Sequence, residues 1–250
     1  MRQSGVARRR LPRIVSQHWG HRALSNIPES RGEGPGAKSR DGSSVELYLR
    51  LPHRGEIDLV GPSIIGPDVL ELGCAAGRLT KPLLERGYRV TAVDNSAEML
   101  EHVPAAANRI RSNIEDLRLG PGFDTVLLAS CLINAPSIAQ RSALLAACRR
   151  HLRVGGVLVF ERHDPEWLSS AAVGHVASID DLDIHIDRIE RHADHVEMSV
   201  RYASPVGEWS HHFTTELLND EQLTAELIAA NFDSPSWINR RWGKARNNAG

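Results

Sequence analysis

The chain has 250 residues, of which 41% are hydrophobic and 24% are charged, as in ordinary globular proteins. This composition excludes a disordered or collagen-like chain, and the length predicts one α/β domain with additions. Three scattered cysteines exclude a disulfide framework and a CxxC zinc site. We therefore expect a cytoplasmic protein, with no leader peptide and no apolar run near the roughly 18 residues that span a bilayer.

Residues 1–42 differ in composition from the rest of the chain. They carry nine basic and three acidic residues, a net charge of +6, which leaves −7 for the remainder. A run rich in Ser, Gly and Pro predicts a flexible basic arm here, followed by one domain over residues 43–250. Three interpretations of the arm stay open: a dispensable extension, a lid over a bound ligand, and an arginine-rich targeting or nucleic-acid-binding segment.

From Ser44 onward, short helices and strands alternate. The hydrophobic pattern predicts helices at residues 44–50, 79–86, 96–103 and 137–152, and strands at residues 69–72, 88–93, 123–129 and 157–160. Alternation at this spacing requires right-handed crossovers. It predicts an α/β fold with a doubly wound, mostly parallel sheet that is covered by helices on both faces.

Beyond residue 180 the hydrophobic pattern changes to a period of two. Three segments, residues 184–189, 195–202 and 209–217, have this alternation, which is typical of half-exposed antiparallel strands. A final helix is predicted at residues 221–230, capped by Asn219 or Asp220. The sequence thus predicts antiparallel strands inserted as a cap on the main sheet.

A glycine turn joins the first buried strand to the helix that follows it. Gly73 and Gly77 let the backbone approach a ligand closely and direct the helix N-terminus toward it. Asp94 ends the next strand, where a carboxylate can accept both hydroxyls of a ribose. The lysine of a P-loop and the third glycine of a dinucleotide fingerprint are both missing. These residues predict a nucleotide-type ligand without a phosphate chain.

The segment Glu71-Leu-Gly-Cys-Ala-Ala-Gly77 resembles motif I of the class I S-adenosylmethionine-dependent methyltransferases, with Ala75 in place of the middle glycine. Residues 84–100, 113–117, 123–124 and 151–157 are similar to the later motifs of that family. The resemblance is close over residues 44–165. It implies a Rossmann-like methyltransferase fold, with a cofactor half at about residues 60–165 and acceptor-side strands at about residues 180–217.

The resemblance also implies a cofactor site for S-adenosylmethionine, with S-adenosylhomocysteine as product. Glu71 would contact the ammonium group, Asp94 the ribose hydroxyls and Asn113 the adenine amino group. The turn after the first strand would pass under the methionine moiety. The residues implied to contact the cofactor are Glu71, Gly73, Ala75, Gly77, Asp94, Asn95, Asn113, Ile114 and Ser130.

The acceptor side carries weaker signals. Acceptors in this architecture sit at the carboxyl ends of the strands, and Glu161-Arg-His163-Asp164 follows the last parallel strand. His163 is the predicted general base, with Glu161 and Asp164 orienting it. Three aromatic residues are predicted to wall the acceptor pocket: Tyr48, Trp209 and Phe213.

No metal site is predicted. His211 and His212 are neighbours on a strand, so their side chains point to opposite faces and cannot share an ion. The acidic set of a catechol-type magnesium site is also missing after the last parallel strand, where only Asp164 is present.

We therefore expect methyl transfer to an N or O atom of a small molecule in bacterial biosynthesis, by a monomer or homodimer without nucleic-acid or membrane partners. Two alternatives stay open. The first is a nucleic-acid methyltransferase or binder using the basic arm, disfavoured because the remainder of the chain, at −7, would repel phosphate. The second is a cofactor-binding protein that performs a different displacement at the sulfonium.

Overall fold

The computed structural model describes residues 31–39 and 42–248, which form two sheets and seven α-helices. The helices are α1 (Val45–Arg50), α2 (Glu56–Val60), α3 (Thr80–Glu85), α4 (Ala97–Leu100), α5 (Ile138–His151), α6 (Pro165–Ser170) and α7 (Asp220–Ala229). The strands are β1 (Arg31–Glu33), β2 (Asp68–Leu72), β3 (Arg89–Asp94), β4 (Asn108–Arg111), β5 (Phe123–Leu128), β6 (Leu152–Glu161), β7 (Gly174–Ile179), β8 (Leu182–Arg191), β9 (His195–Ser204), β10 (Gly207–Glu216), β11 (Ser236–Trp237) and β12 (Trp242–Arg246).

The main sheet has seven strands in the order β11-β12-β6-β5-β2-β3-β4. The five strands from β6 to β4 are parallel, and β12 runs antiparallel to β6. The chain moves outward from β2 in one direction through β3 and β4, then in the other through β5 and β6. This reversal opens a crevice at the carboxyl ends of β2 and β5, the place where open α/β sheets bind ligands. The predicted doubly wound sheet is confirmed.

Both faces of the main sheet are buried, which explains its continuous apolar strands. On β2, Val69 packs with α2, α3 and α4 on one face, whereas Leu70 and Leu72 pack with α5 and α7 on the other.

No helix in the described part of the chain is both long and apolar enough to cross a membrane.

The second sheet, here called the cap sheet, has the order β1-β10-β9-β8-β7 and is antiparallel throughout. It confirms the predicted inserted strands. Its core is formed by residues such as Ile186 and Met198, which pack with Leu168 of α6. Helix α1 packs against the same sheet, where its Leu47 meets Leu182 and Trp209.

The prediction of an unstructured arm through residue 42 is wrong for its last part. Arg31–Glu33 pairs with β10 as an edge strand of the cap sheet. Gly32 allows close packing here, because a Cβ on it would lie 2.3 Å from the Gly42 carbonyl oxygen. The glycines that suggested a flexible arm instead permit this contact. Residues 1–30 and 40–41 of the arm lie outside the described residues.

Capping residues set the helix starts as expected. The Ser44 side chain accepts a hydrogen bond from the Leu47 N–H, and Asn219 forms a capping box with Gln222. Strands β4, β7, β11 and β12 and helices α2 and α6 were not predicted. Strand β4 contains one apolar residue, Ile110, so it shows no alternation in the sequence.

A buried ionic cluster joins the cap sheet to the helical layer of the main sheet. Arg141 of α5 is 4% exposed and donates three hydrogen bonds of 2.8–3.0 Å to the Glu226 carboxylate of α7. Its Nη1 lies 3.4 Å from the Glu216 carboxylate at the end of β10. One guanidinium therefore links α5 to β10 and α7, two elements that are distant from α5 in sequence.

We predict that Arg141→Met lowers the free energy of unfolding by about 3 kcal/mol, because two largely buried carboxylates lose their counter-ion. Urea denaturation measures this change. Arg188→Met is the matched control, since the exposed pair of Arg188 with Glu190 contributes less than about 1 kcal/mol. Equal effects of the two substitutions would contradict the role given to Arg141.

Candidate active site

The turn after β2 is bound to the end of β3 by backbone hydrogen bonds. The N–H groups of Gly73 and Cys74 both donate to the Val93 carbonyl oxygen, each at 2.9 Å. Gly73, Ala75 and Gly77 all have positive φ angles, of 71°, 46° and 85°. A left-handed residue other than glycine is strained by roughly 1–2 kcal/mol. The glycine that the family places at position 75 thus suits the backbone geometry, and Ala75 occupies that geometry under strain.

The carboxylate of Asp94 braces this turn. Its Oδ2 accepts the Ala75 N–H and its Oδ1 accepts the Ser96 N–H, both at 2.9 Å. Ser96 caps α4 by accepting the Met99 N–H. Each carboxylate oxygen has two acceptor positions, so Asp94 can brace the turn and still accept a ribose hydroxyl.

Glu71 lies buried beneath the turn. Its Oε2 accepts a 2.5 Å hydrogen bond from the Thr80 hydroxyl. Burial raises the pKa of Glu71 to about 7, an effect opposed by the Thr80 hydrogen bond and by the charge of Arg78. A cation held beside Glu71 would favour its ionised form, which is consistent with the predicted contact to an ammonium group.

The predicted adenine-side residues follow β3 and β4. The Asn113 side chain donates to Asp116 at 2.9 Å and accepts from Asn95 at 3.4 Å. Ile114 reaches the glycine turn, since its Cδ1 would lie 3.9 Å from a Cβ on Gly73. The structure therefore brings the predicted cofactor residues together along the ends of β2, β3 and β4.

A second, more strained turn follows β5. Ser130 and Cys131 both have φ angles of 56°, and such conformations cost about 1–3 kcal/mol each and concentrate at functional sites. The Ser130 N–H donates to Glu161 Oε2 at 2.8 Å. Arg241 donates to Glu161 Oε1 at 2.5 Å. Glu161 is 3% exposed, so its two oxygens are held by a backbone N–H and a guanidinium.

A cavity of about 560 Å³ lies beside this turn, between the main sheet and the cap sheet. The predicted residues Tyr48, Ser130 and Glu161 line it. Its other polar lining residues include Arg54, Glu56, Arg78, Cys131, Tyr202, Asn239 and Arg241.

The cavity wall has an excess of positive charge. Arg78 forms an ion pair with Glu56, and Arg241 forms one with Glu161. The Arg54 guanidinium makes no ion pair with any residue in the described ranges. Arg54 is therefore a candidate to bind a carboxylate, and sequence reasoning missed it.

Arg241 and Tyr202 were also missed. Arg241 lies in the loop before β12, and Tyr202 lies on β9. Neither belongs to a local motif. Arg241 reaches the cavity because β12 pairs with the distant strand β6, and Tyr202 reaches it because the cap sheet lies beside the main sheet.

His163 does not line this cavity. Its ring is stacked between Trp167 and Phe213, with centroid distances of 6.3 and 6.2 Å. Burial lowers the pKa of His163 to about 4, with the charge of Arg241 as a second cause, so the imidazole is neutral at pH 7. Asp164 does not orient it and instead caps α6 by accepting the Glu166 and Trp167 N–H groups.

Of the three aromatic residues predicted to wall the acceptor pocket, Tyr48 lines the cavity. Phe213 stacks on His163. Trp209 is 1% exposed, and its indole N–H donates to the Pro35 carbonyl oxygen. Trp209 therefore anchors the segment after β1 and has no place in the cavity wall.

Residues 69–156 match the family described as "Methyltransferase domain". The chain is 30% identical over 146 residues to a ubiquinone biosynthesis O-methyltransferase of Xanthomonas euvesicatoria, covering 54% of this chain and 59% of that protein. It spans about half the length of the curated relatives that it matches.

Two solved structures share the fold at low sequence identity. An S-adenosylmethionine-dependent methyltransferase from Clostridium acetobutylicum matches 82% of this chain and 95% of its own, with a TM-score of 0.65 and 17% identity. The sugar N-methyltransferase KedS8 from Streptoalloteichus matches 86% and 96%, with a TM-score of 0.63 and 21% identity. The chain therefore has the fold of class I S-adenosylmethionine-dependent methyltransferases, and its residues 69–156 match the family of methyltransferase domains.

Proposed function

We propose that this protein transfers a methyl group from S-adenosylmethionine to a small molecule. The observation that carries the proposal is the glycine turn braced by Asp94, which adjoins a polar cavity of about 560 Å³. That volume lies within the range of small-molecule sites, about 300–1,000 Å³. The relatives include an O-methyltransferase and the structural neighbours an N-methyltransferase, so an N or an O acceptor is compatible with both comparisons.

The cofactor residues fit the chemical groups of S-adenosylmethionine. A Cβ at Gly73 would lie 2.6 Å from Leu132 Cδ1, so this position of the turn has room for glycine and its backbone carries no side chain. Asp94 offers acceptors to ribose hydroxyls, and Glu71 offers a carboxyl group to an ammonium group. Arg54 would bind a carboxylate from the opposite wall. The bound cofactor supplies an electrophilic methyl group on a positively charged sulfur.

Within the N or O choice, the side chains favour a neutral amine nitrogen. A hydroxyl acceptor needs a base whose pKa lies near the working pH. Glu161 is held by Arg241 and the Ser130 N–H, and His163 has a pKa of about 4. A neutral amine needs no base, so alignment by Tyr48 and Glu161 and exclusion of water would supply most of the acceleration.

The three cysteines are free in the described structure, which supports our expectation of a reducing, cytoplasmic location. We expect the acceptor to come from a bacterial biosynthetic pathway.

The acceptor assay uses the full chain with methyl-labelled S-adenosylmethionine and pairs of small molecules that differ only in an amine or a hydroxyl. Labelling of the amine members is expected, and labelling of hydroxyl members alone would overturn the preference for nitrogen.

Asp94→Ala should weaken binding of S-adenosylhomocysteine at least 10-fold, because it removes the ribose acceptor and the brace of the glycine turn. Isothermal titration calorimetry measures this affinity, with NAD as the ligand control. Asp183→Ala, on the cap sheet, is the matched variant and should bind normally. Wild-type affinity in Asp94→Ala would remove Asp94 from the site.

The strain at position 75 gives a second prediction about the same affinity. Ala75→Gly should bind S-adenosylhomocysteine as well as the wild type or better, because glycine adopts a φ of 46° without strain. Ala75→Val should bind at least 10-fold more weakly, since β-branched residues resist this conformation. Equal affinities for the two variants would show that the turn geometry does not control binding.

The predicted base is tested by turnover and its pH dependence. Because transfer to a neutral amine needs no base, His163→Ala should leave kcat and S-adenosylhomocysteine affinity close to the wild type, whereas loss of a general base would lower kcat at least about 100-fold. The pKa of about 4 means that wild-type kcat would lose a base contribution of His163 only as the pH falls toward 4. An unchanged kcat in His163→Ala, with Phe213→Leu as the packing control, would support base-free transfer.

A further inference from the structure

The turn between β8 and β9 brings two histidines and a glutamate onto one face of the cap sheet. His192 and His195 flank a two-residue turn, and the His192 N–H donates to the His195 carbonyl oxygen at 2.9 Å. Arg191 is paired with Val196, so the two histidines lie opposite each other. Glu197 shares the face of His195, because strand side chains alternate. We propose that His192, His195 and Glu197 bind one divalent transition-metal ion of the zinc class.

The distances between the ligand atoms fit such an ion. Glu197 Oε1 lies 3.8 Å from His192 Nε2 and 4.0 Å from His195 Nε2, and one ligand atom from each residue lies within 4.8 Å of the others. Ligand bonds of about 2.0–2.2 Å in a tetrahedral zinc site place neighbouring ligand atoms about 3.4 Å apart. The three side chains are 30–43% exposed, so small rotations can close the remaining gap.

An adjacent carboxylate orients the His195 ring for metal binding. Asp194 Oδ1 lies 2.7 Å from His195 Nδ1. An ionised carboxylate only accepts hydrogen bonds, so Nδ1 carries a proton and Nε2, which lies 4.0 Å from Glu197 Oε1, is the nitrogen available to a metal ion. A carboxylate behind a histidine is the usual support of a metal-bound imidazole.

The donor set selects the class of metal. Two imidazoles and one carboxylate suit Zn²⁺ and neighbouring transition metals, whereas Mg²⁺ and Ca²⁺ prefer oxygen ligands. Glu190 lies opposite Glu197 but is held by two hydrogen bonds from Arg188. The fourth tetrahedral position is thus left to solvent.

The Asp194 carbonyl oxygen also accepts the Leu217 N–H at 2.7 Å. A bound ion would therefore restrain the backbone at the end of β10.

The same sheet contains a comparison pair that lacks these features. His175 and His185 are also paired across strands, but their rings meet edge-on at 68°. His175 Nε2 is hydrogen-bonded to the Ser178 hydroxyl at 3.0 Å. Within the described ranges, His192, His195 and Glu197 form the one group with metal-ligand spacing.

The test is calorimetric titration of the reduced full chain with ZnCl₂. We expect one site in the wild type whose affinity falls at least 10-fold in His192→Ala and in His195→Ala. Asp194→Asn keeps all three ligands and should weaken binding about 10-fold. The double variant His175→Ala/His185→Ala should bind like the wild type, and circular dichroism verifies that each variant is folded.

Co²⁺ provides a second readout that does not depend on activity. The wild type should show the visible absorption of tetrahedral Co²⁺, and His192→Ala/His195→Ala should lose it. Absence of Zn²⁺ binding in the wild type would overturn the proposal. Equal Zn²⁺ affinity of the wild type and His192→Ala/His195→Ala would overturn it as well.

Discussion

The geometry of the site depends on the Asp94 carboxylate, whose two oxygens accept backbone N–H groups of Ala75 and Ser96. These bonds hold the glycine turn of one βα unit against the start of the next. Hydrogen bonds to a charged acceptor are stronger than neutral ones, which is consistent with a turn that keeps Ala75 left-handed. The arrangement leaves backbone exposed at the switch point of the sheet, with Glu71 buried beneath it.

The cavity depends on a different set of contacts. Glu161 is held between Arg241 and the Ser130 N–H, while Tyr48 and Tyr202 reach the same space from α1 and the cap sheet. The position of the cap sheet is in turn secured by Arg141, which joins the end of β10 to α5 and α7. The acceptor side is therefore assembled from five separate parts of the chain, whereas the predicted cofactor side comes from consecutive βα units.

This difference explains which residues sequence reasoning could find. The predicted cofactor residues lie in local motifs, where a glycine turn and a strand-ending acid have a fixed spacing, and the structure places them near one another. The acceptor-side predictions were less successful. Trp209 and Asp164 have structural roles, His163 lies outside the cavity lining, and Arg54 and Arg241 were not predicted. Strand β1 was missed because Gly32 and its neighbours have the composition of a loop, although their small size permits close pairing.

The sequence by itself determined the doubly wound fold, the inserted antiparallel strands and the nucleotide-type site, because hydrophobic periodicity and glycine spacing act over a few residues. The tertiary structure alone decided the charge of the cavity, the low pKa of His163 and the pairing of His192 with His195. Desolvation of an imidazole depends on groups that are far apart in the chain and are brought together by packing. The register of β8 and β9 depends on the position of the turn between them, which hydrophobic periodicity does not specify. Packing likewise brings Arg241 beside Glu161, although the two residues are 80 positions apart in the chain.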